Sequence, residues 1–206
     1  MRPLTRKHFI TQEEYLEFER AAFEKHEYFD GEMFDMSGAS LEHAGITSNI
    51  NATFALQLKG RPCKSFQSDL RIHIPETGLY TYPDVIVVCG KPQLLDDTYL
   101  DTLLNPDLIV EVLSPSTAEY DMNVKFEHYR KIDSLKEYVL VWQDKKRVAR
   151  YTKRDDESWI LNDFIGDDAH IDLTSIECSL SMDDIYDKVD LSELTALRPI
   201  RTEKVK

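Results

Sequence analysis

At 206 residues the chain is long enough for one domain with trimmings and for a real hydrophobic core. Its 42% hydrophobic and 31% charged residues exclude a disordered or collagen-like chain. A balance of 25 Lys and Arg against 38 Asp and Glu leaves a net charge of −13, which excludes a protein that coats nucleic acid by bulk electrostatics. No apolar run approaches the ~18 residues needed to span a bilayer, so no membrane is expected as a partner. The start, MRPLTRKHFITQEE, shows no signal-peptide core. Cys63, Cys89 and Cys178 are odd in number and unpatterned along the sequence. They supply no zinc motif and fit a reducing cytosol, so a cytoplasmic location is expected.

In chain order, Thr11 with Glu14 makes a capping box that opens a helix over about 12–25. Asp30-Gly31, flanked by aromatic and apolar residues, predicts a hairpin. Ile46, Ile50, Phe54 and Leu58 recur every four residues and predict a helix over about 41–59, stopped at Gly60. The period then changes. Lys64–Phe66 and Asp69–Ile74 read as strands, and VIVVC (85–89) and LIVEVL (108–113) read as strands from the middle of a sheet. A helix over about 117–132, capped by Ser116 with Glu119, precedes strands at 137–142, 147–152 and about 159–164. A short acidic helix near 182–188 closes the pattern. Together these predict one α/β (α+β) domain over 1–190 on a mixed central sheet, with a frayed C-terminal tail at 191–206.

Three residues do not suit a bland core. Asp84 begins VIVVC directly after Pro83, and Glu111 sits inside LIVEVL with two apolar residues on either side. A carboxylate in a central strand is costly unless it meets a charged partner or a metal. For Glu111 a buried ion pair or an outward-facing edge position, and for Asp84 a turn cap, are the plainer alternatives. On a wheel of about 100° per residue with Met122 at zero, Lys125 falls at about −60°, inside the arc of Phe126, Tyr129 and Ile132. Asp121 falls at about −100°, on its margin, so an exposed Asp121–Lys125 pair is the alternative there. Two carboxylates that hold Mg²⁺ or Mn²⁺, and one ammonium that orients a water, are what phosphodiester hydrolysis needs.

The stretches Tyr82-Pro83-Asp84-Val85-Ile86-Val87-Val88 and Pro106-Asp107-Leu108-Ile109-Val110-Glu111-Val112-Leu113-Ser114-Pro115-Ser116-Thr117, followed by Asp121, Lys125 and Tyr129, resemble the Uma2-type (DUF820) restriction endonuclease family. Glu27-Tyr28-Phe29-Asp30-Gly31-Glu32, His43 and Ser68-Asp69-Leu70-Arg71-Ile72 extend the resemblance, which covers roughly 11–165. This family lies in the PD-(D/E)xK nuclease superfamily. The resemblance implies a restriction-endonuclease-like core, a mixed sheet flanked by helices, and Mg²⁺-dependent cleavage of DNA. It implies Asp84, Glu111 and the Val112 carbonyl as metal ligands, with Lys125 supplying the ammonium. The superfamily pattern places a lysine two residues after the glutamate, and here that position is Leu113.

Lesser candidates carry heavier alternatives. Glu27 or Glu32 could add a carboxylate, against a solvated hairpin face; His43 could touch a phosphate or the attacking water, against an ordinary helix-start histidine. Asp69 could cap a strand or support Asp84, and Tyr129 could hold the Lys125 ammonium or be a plain core tyrosine. A DNA face should be the hairpin Lys145-Lys146-Arg147 with Arg150, Lys153 and Arg154, joined by Lys131 and Lys136; a solvated basic hairpin is the alternative. A homodimer is the expected state, since cutting both strands favours two copies. The competing functions are a catalytically impaired nuclease-fold protein that binds nucleic acid or protein, and a different metal-assisted hydrolase.

Overall fold

The computed structural model describes residues 9–36, 38–96 and 98–191. Helix α1 (Gln12–Ala21) starts at the expected capping box, with the Glu14 carboxylate and the Thr11 hydroxyl each accepting from the other's backbone N–H. It ends four residues short of the expected 25, because the Glu19 carboxylate accepts the His26 N–H at 2.9 Å and turns the chain back. The hairpin of β1 (His26–Phe29) and β2 (Glu32–Asp35) follows. Asp30 and Gly31 both take positive φ, +49° and +79°, the backbone that a two-residue hairpin turn requires. Helix α2 (Leu41–Gln57) then runs close to its expected length.

The central sheet has six strands, β3 (Cys63–Gln67), β6 (Val85–Cys89), β8 (Leu108–Leu113), β9 (Glu137–Trp142), β10 (Arg147–Lys153) and β11 (Trp159–Ile165). Its order is β11-β10-β9-β8-β6-β3. Only β8 and β9 run parallel; the sheet is mixed, as expected. Strand β4 (Arg71–Ile74) lies within the strand expected at 69–74, whereas its partners β5 (Leu79–Thr81) and β7 (Thr102–Leu103) were not anticipated; with β1 and β2 these three build a second, five-stranded sheet. A separate hairpin, β12 (His170–Leu173) and β13 (Cys178–Ser181), also escapes the sequence pattern and leads into α4 (Met182–Tyr186).

Alternation along β6 and β8 splits the core in two. Val85, Val87, Leu108, Val110 and Val112 pack against Ile46, Ile50 and Phe54 of α2, and against β12, β13 and α4. Ile86, Val88, Ile109 and Leu113 face the second sheet and the helical segment that follows β8.

That segment corrects the expected uniform helix over 117–132. Its start is held by Ser114 rather than Ser116, since the Ser114 hydroxyl accepts the Thr117 N–H at 3.2 Å. Tyr120–Lys125 winds as a π-helical turn, and α3 (Phe126–Tyr129) continues it. The cysteines are corrected too. Cys63 and Cys89 stand opposite each other in the β3–β6 register and form a disulfide, while Cys178 is free and buried. Of the tail expected at 191–206, all but Leu191 lies outside the described residues. No helix among the described residues is long and apolar enough to cross a membrane.

Candidate active site

The antiparallel register that pairs Val85 with Val110 sets Asp84 opposite Glu111, on the same face of the sheet. Pro83 has no N–H, so the ladder cannot continue past Asp84. The Asp84 side chain takes over, with Oδ2 accepting the Val112 N–H at 2.7 Å, and the Asp84 N–H reaches Glu111 Oε2 at 3.3 Å. His43 comes from the first turn of α2, whose cap Ser40 accepts the His43 N–H at 3.2 Å. Its Nε2 lies 2.8 Å from Asp84 Oδ1.

Glu111 is 3% exposed and divides its two oxygens. Oε1 receives the Tyr129 hydroxyl at 2.7 Å and the Lys125 ammonium at 3.0 Å, whereas among the described residues Oε2 has only the long bond from the Asp84 N–H. The ammonium also meets Asp121 Oδ1 at 3.1 Å and Glu27 Oε1 at 3.3 Å. Glu27 is held in turn by the Thr81 hydroxyl and, at 3.0 Å, by the Tyr120 hydroxyl. The i→i+5 winding of 120–125 keeps Asp121 and Lys125 both turned to the sheet, buried at 3% and 6% exposure. Such π turns are frequent at functional sites. The Asp121–Lys125 pair therefore exists, but inside the protein and not in solvent.

Burial dominates the electrostatics. It pushes the Glu111 carboxyl up to about 8, against the pull of Lys125, with Asp84 and Asp121 adding to the push. Burial alone would lower the Lys125 pKa; Glu111, Tyr129, Glu27 and Asp121 outweigh it and hold Lys125 well above the usual lysine range. Three carboxylates, Glu111, Asp121 and Glu27, thus face one ammonium, and Asp84 lies beyond Glu111.

The other sequence candidates lie elsewhere. Glu27 is buried in the cluster, not on a solvated hairpin face. Glu32 sits on edge strand β2 opposite Phe29. Asp69 is exposed and pairs with Lys25 at 2.5 Å, not with Asp84. The basic hairpin is largely matched by carboxylates. Lys146 pairs with Asp167 at 2.6 Å and Arg147 with both oxygens of Asp163 at 2.9 and 2.8 Å. Arg150 donates to the Asp172 carbonyl and to Asn162, and Lys145 lies over the Trp142 ring. Lys131, Lys136 and Lys153 pair with Glu76, Asp107 and Glu157. The 144–146 turn does share the cluster's end of the sheet, because Leu113 pairs with Trp142 just before it. Sequence reasoning left Asp121 as a surface partner and did not find Tyr120 or Thr81; the one available signal was the four-residue step from Asp121 to Lys125.

The donor set suits a hard cation. Asp84 and Glu111 Oε2 offer oxygens on one side of Glu111, and Lys125 and Tyr129 occupy the other. Among the described residues no three His, Cys, Asp or Glu are spaced as a ready cage. Mg²⁺ is usually held by one or two carboxylates with waters and substrate phosphates, and a pair of this kind fits that habit.

The comparisons agree with this architecture. Residues 12–183 match the model of the Uma2 family, described as "Putative restriction endonuclease". Two proteins of Synechocystis sp., uncharacterized proteins sll1609 and slr1290, are similar over most of their length. The first is 39% identical over 80% of this chain and 93% of its own, the second 40% identical over 86% and 91%. A crystal structure from Anabaena variabilis, titled a "putative nuclease belonging to DUF820", shares the fold with a TM-score of 0.71 at 22% identity, covering 86% of this chain and 98% of that one. With a family match over that span, the register of β6 on β8 and the shared fold, the chain belongs to the Uma2 family of restriction-endonuclease-like proteins.

Proposed function

We propose that the protein is a metal-dependent endonuclease that hydrolyses phosphodiester bonds of DNA. The observation that carries this reading is the Lys125 ammonium 3.0 Å from Glu111, with Asp84 directly opposite Glu111 in the sheet. Asp84, Glu111 Oε2 and the Val112 carbonyl would hold Mg²⁺ or Mn²⁺. Such an ion polarises the phosphate and lowers the pKa of a water. Lys125 orients the attacking water and offsets negative charge developing on the phosphate. Tyr129 fixes Glu111 by its hydroxyl, and His43 fixes Asp84. Lysine suits its role as a compact point charge. Four carboxylates against one ammonium repel a phosphodiester, so DNA binding at the cluster requires the cation first. A cytoplasmic location goes with a DNA substrate, in a compartment whose reducing poise would open the Cys63–Cys89 bond. A homodimer goes with cutting both strands.

The test is cleavage of supercoiled plasmid with Mg²⁺ or Mn²⁺, beside calorimetry with Mn²⁺. Wild type should cut and bind the ion; Glu111→Gln should do neither, and Lys125→Met should bind the ion without cutting. Equal residual nicking by all three would mean a contaminating nuclease and end the reading. One observation favours the second reading, an impaired nuclease fold that binds nucleic acid or protein: Leu113 stands where the superfamily places its lysine. Metal binding without any cleavage by wild type would support it.

A further inference from the structure

A lysine two residues after Glu111 would be aimed by its strand. Here that place is taken by Leu113, buried in the core, and the ammonium arrives from the π-helical turn instead. A four-carbon stem does not by itself fix its head. Two carboxylates from outside the proposed metal pair do so. Asp121 reaches the ammonium at 3.1 Å from the same turn, and Glu27 at 3.3 Å from hairpin strand β1. Each is anchored in turn. Glu27 accepts from the hydroxyls of Thr81 and Tyr120, and the Asp121 carbonyl accepts the Tyr138 hydroxyl at 2.9 Å. The ammonium donates a hydrogen bond to Glu111, and Asp121 and Glu27 face it at ion-pair distance. Charge on three sides specifies its position.

We infer that Glu27 and Asp121 are positioning residues, a carboxylate clamp that holds the Lys125 ammonium against Glu111 so that a lysine carried by a helix stands where a strand would otherwise place it. The inference rests on the nuclease reading for its consequence, not for its geometry. A clamp of this kind acts on the rate of cleavage and not on the cation, because neither residue touches Asp84 or Glu111 Oε2. Its longest contact is the one to Glu27, at 3.3 Å.

Two measurements on the full chain decide it. The first is the ¹⁵N–¹H spectrum of the lysine ammonium groups, with the Lys125 signal identified by its loss in Lys125→Met. In wild type that signal should be shielded from solvent exchange, and in Asp121→Asn and Glu27→Gln it should broaden or vanish while circular dichroism stays native. The second is plasmid cleavage with Mn²⁺ beside calorimetry. Each variant should cut about tenfold to a hundredfold more slowly, with Mn²⁺ affinity within about twofold of wild type. A Lys125 signal that exchanges in wild type like those of exposed lysines overturns the clamp. So does a signal unchanged in both variants, or an unchanged cleavage rate in both. If Asp121→Asn fails to fold, the wild-type spectrum and Glu27→Gln still decide. A wild type inert on DNA but with a shielded Lys125 signal sinks the nuclease reading and leaves the clamp standing.

Discussion

Strands β6 and β8 send alternate side chains to two faces, and the two faces obey different rules. Toward α2, apolar groups meet apolar groups: Val85, Val87, Val110 and Val112 on Ile46, Ile50 and Phe54. Burying each such side chain stabilises by roughly 1.5–3 kcal/mol, with no polar group left to satisfy. One residue along each strand, the other face carries Asp84 and Glu111 among Ile86, Ile109 and Leu113, with Lys125, Asp121 and Glu27 closing over them. Buried charges lose more to desolvation than they regain unless partners are near ideal. The α2 face therefore stabilises the sheet by apolar burial alone, whereas the opposite face sets a costly charge cluster within its own apolar core, one residue along the strand.

The sharpest way to break this contrast is to damage each face alone. Phe54 is fully buried on the α2 face, and Phe54→Ala should cost about 3–5 kcal/mol in urea unfolding through the cavity it leaves. Its folded fraction should bind Mn²⁺ like wild type. A cost below about 1 kcal/mol would mean that α2 is not the stabilising layer.

Asp84→Asn and Glu111→Gln should do the reverse, lowering cleavage by about a hundredfold or more, because neutral amides hold Mg²⁺ poorly. Their unfolding free energy should move far less. Removing one partner of a buried pair usually costs about 3–5 kcal/mol, but Lys125 keeps Asp121 and Glu27 when Glu111 is lost. A Glu111→Gln protein as unstable as Phe54→Ala would erase the contrast between the faces.

A smaller effect is pH dependence. Burial lifts the Glu111 carboxyl to about 8 in the folded protein from an ordinary value of 4.5. The folded state therefore favours the proton. That stabilisation is complete below about 4.5 and is lost as pH rises through about 8. Without metal, wild type should lose stability relative to Glu111→Gln over this window, by an amount on the order of a few kcal/mol. Adding Mn²⁺ should reverse the trend, since the ion needs the carboxylate and its binding tightens as the proton leaves. Parallel unfolding curves for the two proteins from pH 5 to pH 8 would show that Glu111 is not held protonated.

The contrast between the faces was partly legible in the sequence. VIVVC and LIVEVL announced buried strands, and Asp84 and Glu111 stood out because they interrupted apolar runs. Asp30-Gly31 gave the hairpin because its turn chemistry is local. What stayed hidden depends on register or on deviation from a regular helix. Strands of two to four residues such as β5 and β7 are too short to show a period. The facing of Cys63 and Cys89 appears only once β3 is set against β6. The π turn breaks the 100° spacing that put Asp121 at the margin, so the wheel saw Lys125 turn inward but not its neighbour. Glu27 joins the cluster from a strand 98 residues before Lys125, a contact that no local pattern can announce.

The smallest expected effect concerns charge at the same end of the sheet, outside the cluster. Lys145 and Lys146 lie in the turn after β9, where a DNA backbone approaching Asp84 and Glu111 could meet them. Lys146 is already matched by Asp167 at 2.6 Å and has Asp183 at 3.8 Å. A lysine shared with an aspartate on a chain of net charge −13 offers a phosphate little free positive charge. The double variant Lys145→Ala, Lys146→Ala should then weaken DNA binding by no more than about threefold and change the salt slope by less than about one. Binding is best read in the Lys125→Met background with Mn²⁺, where the DNA stays uncut, at several salt concentrations. Two lysines seated on phosphates would instead lower the slope by nearly two and the affinity by far more. That outcome would mean that Lys146 leaves Asp167 when DNA arrives, and that the charged turn works beside the buried cluster as its DNA-holding edge. A small effect would leave the work of holding DNA to the cation between Asp84 and Glu111, on the face that carries the buried charges.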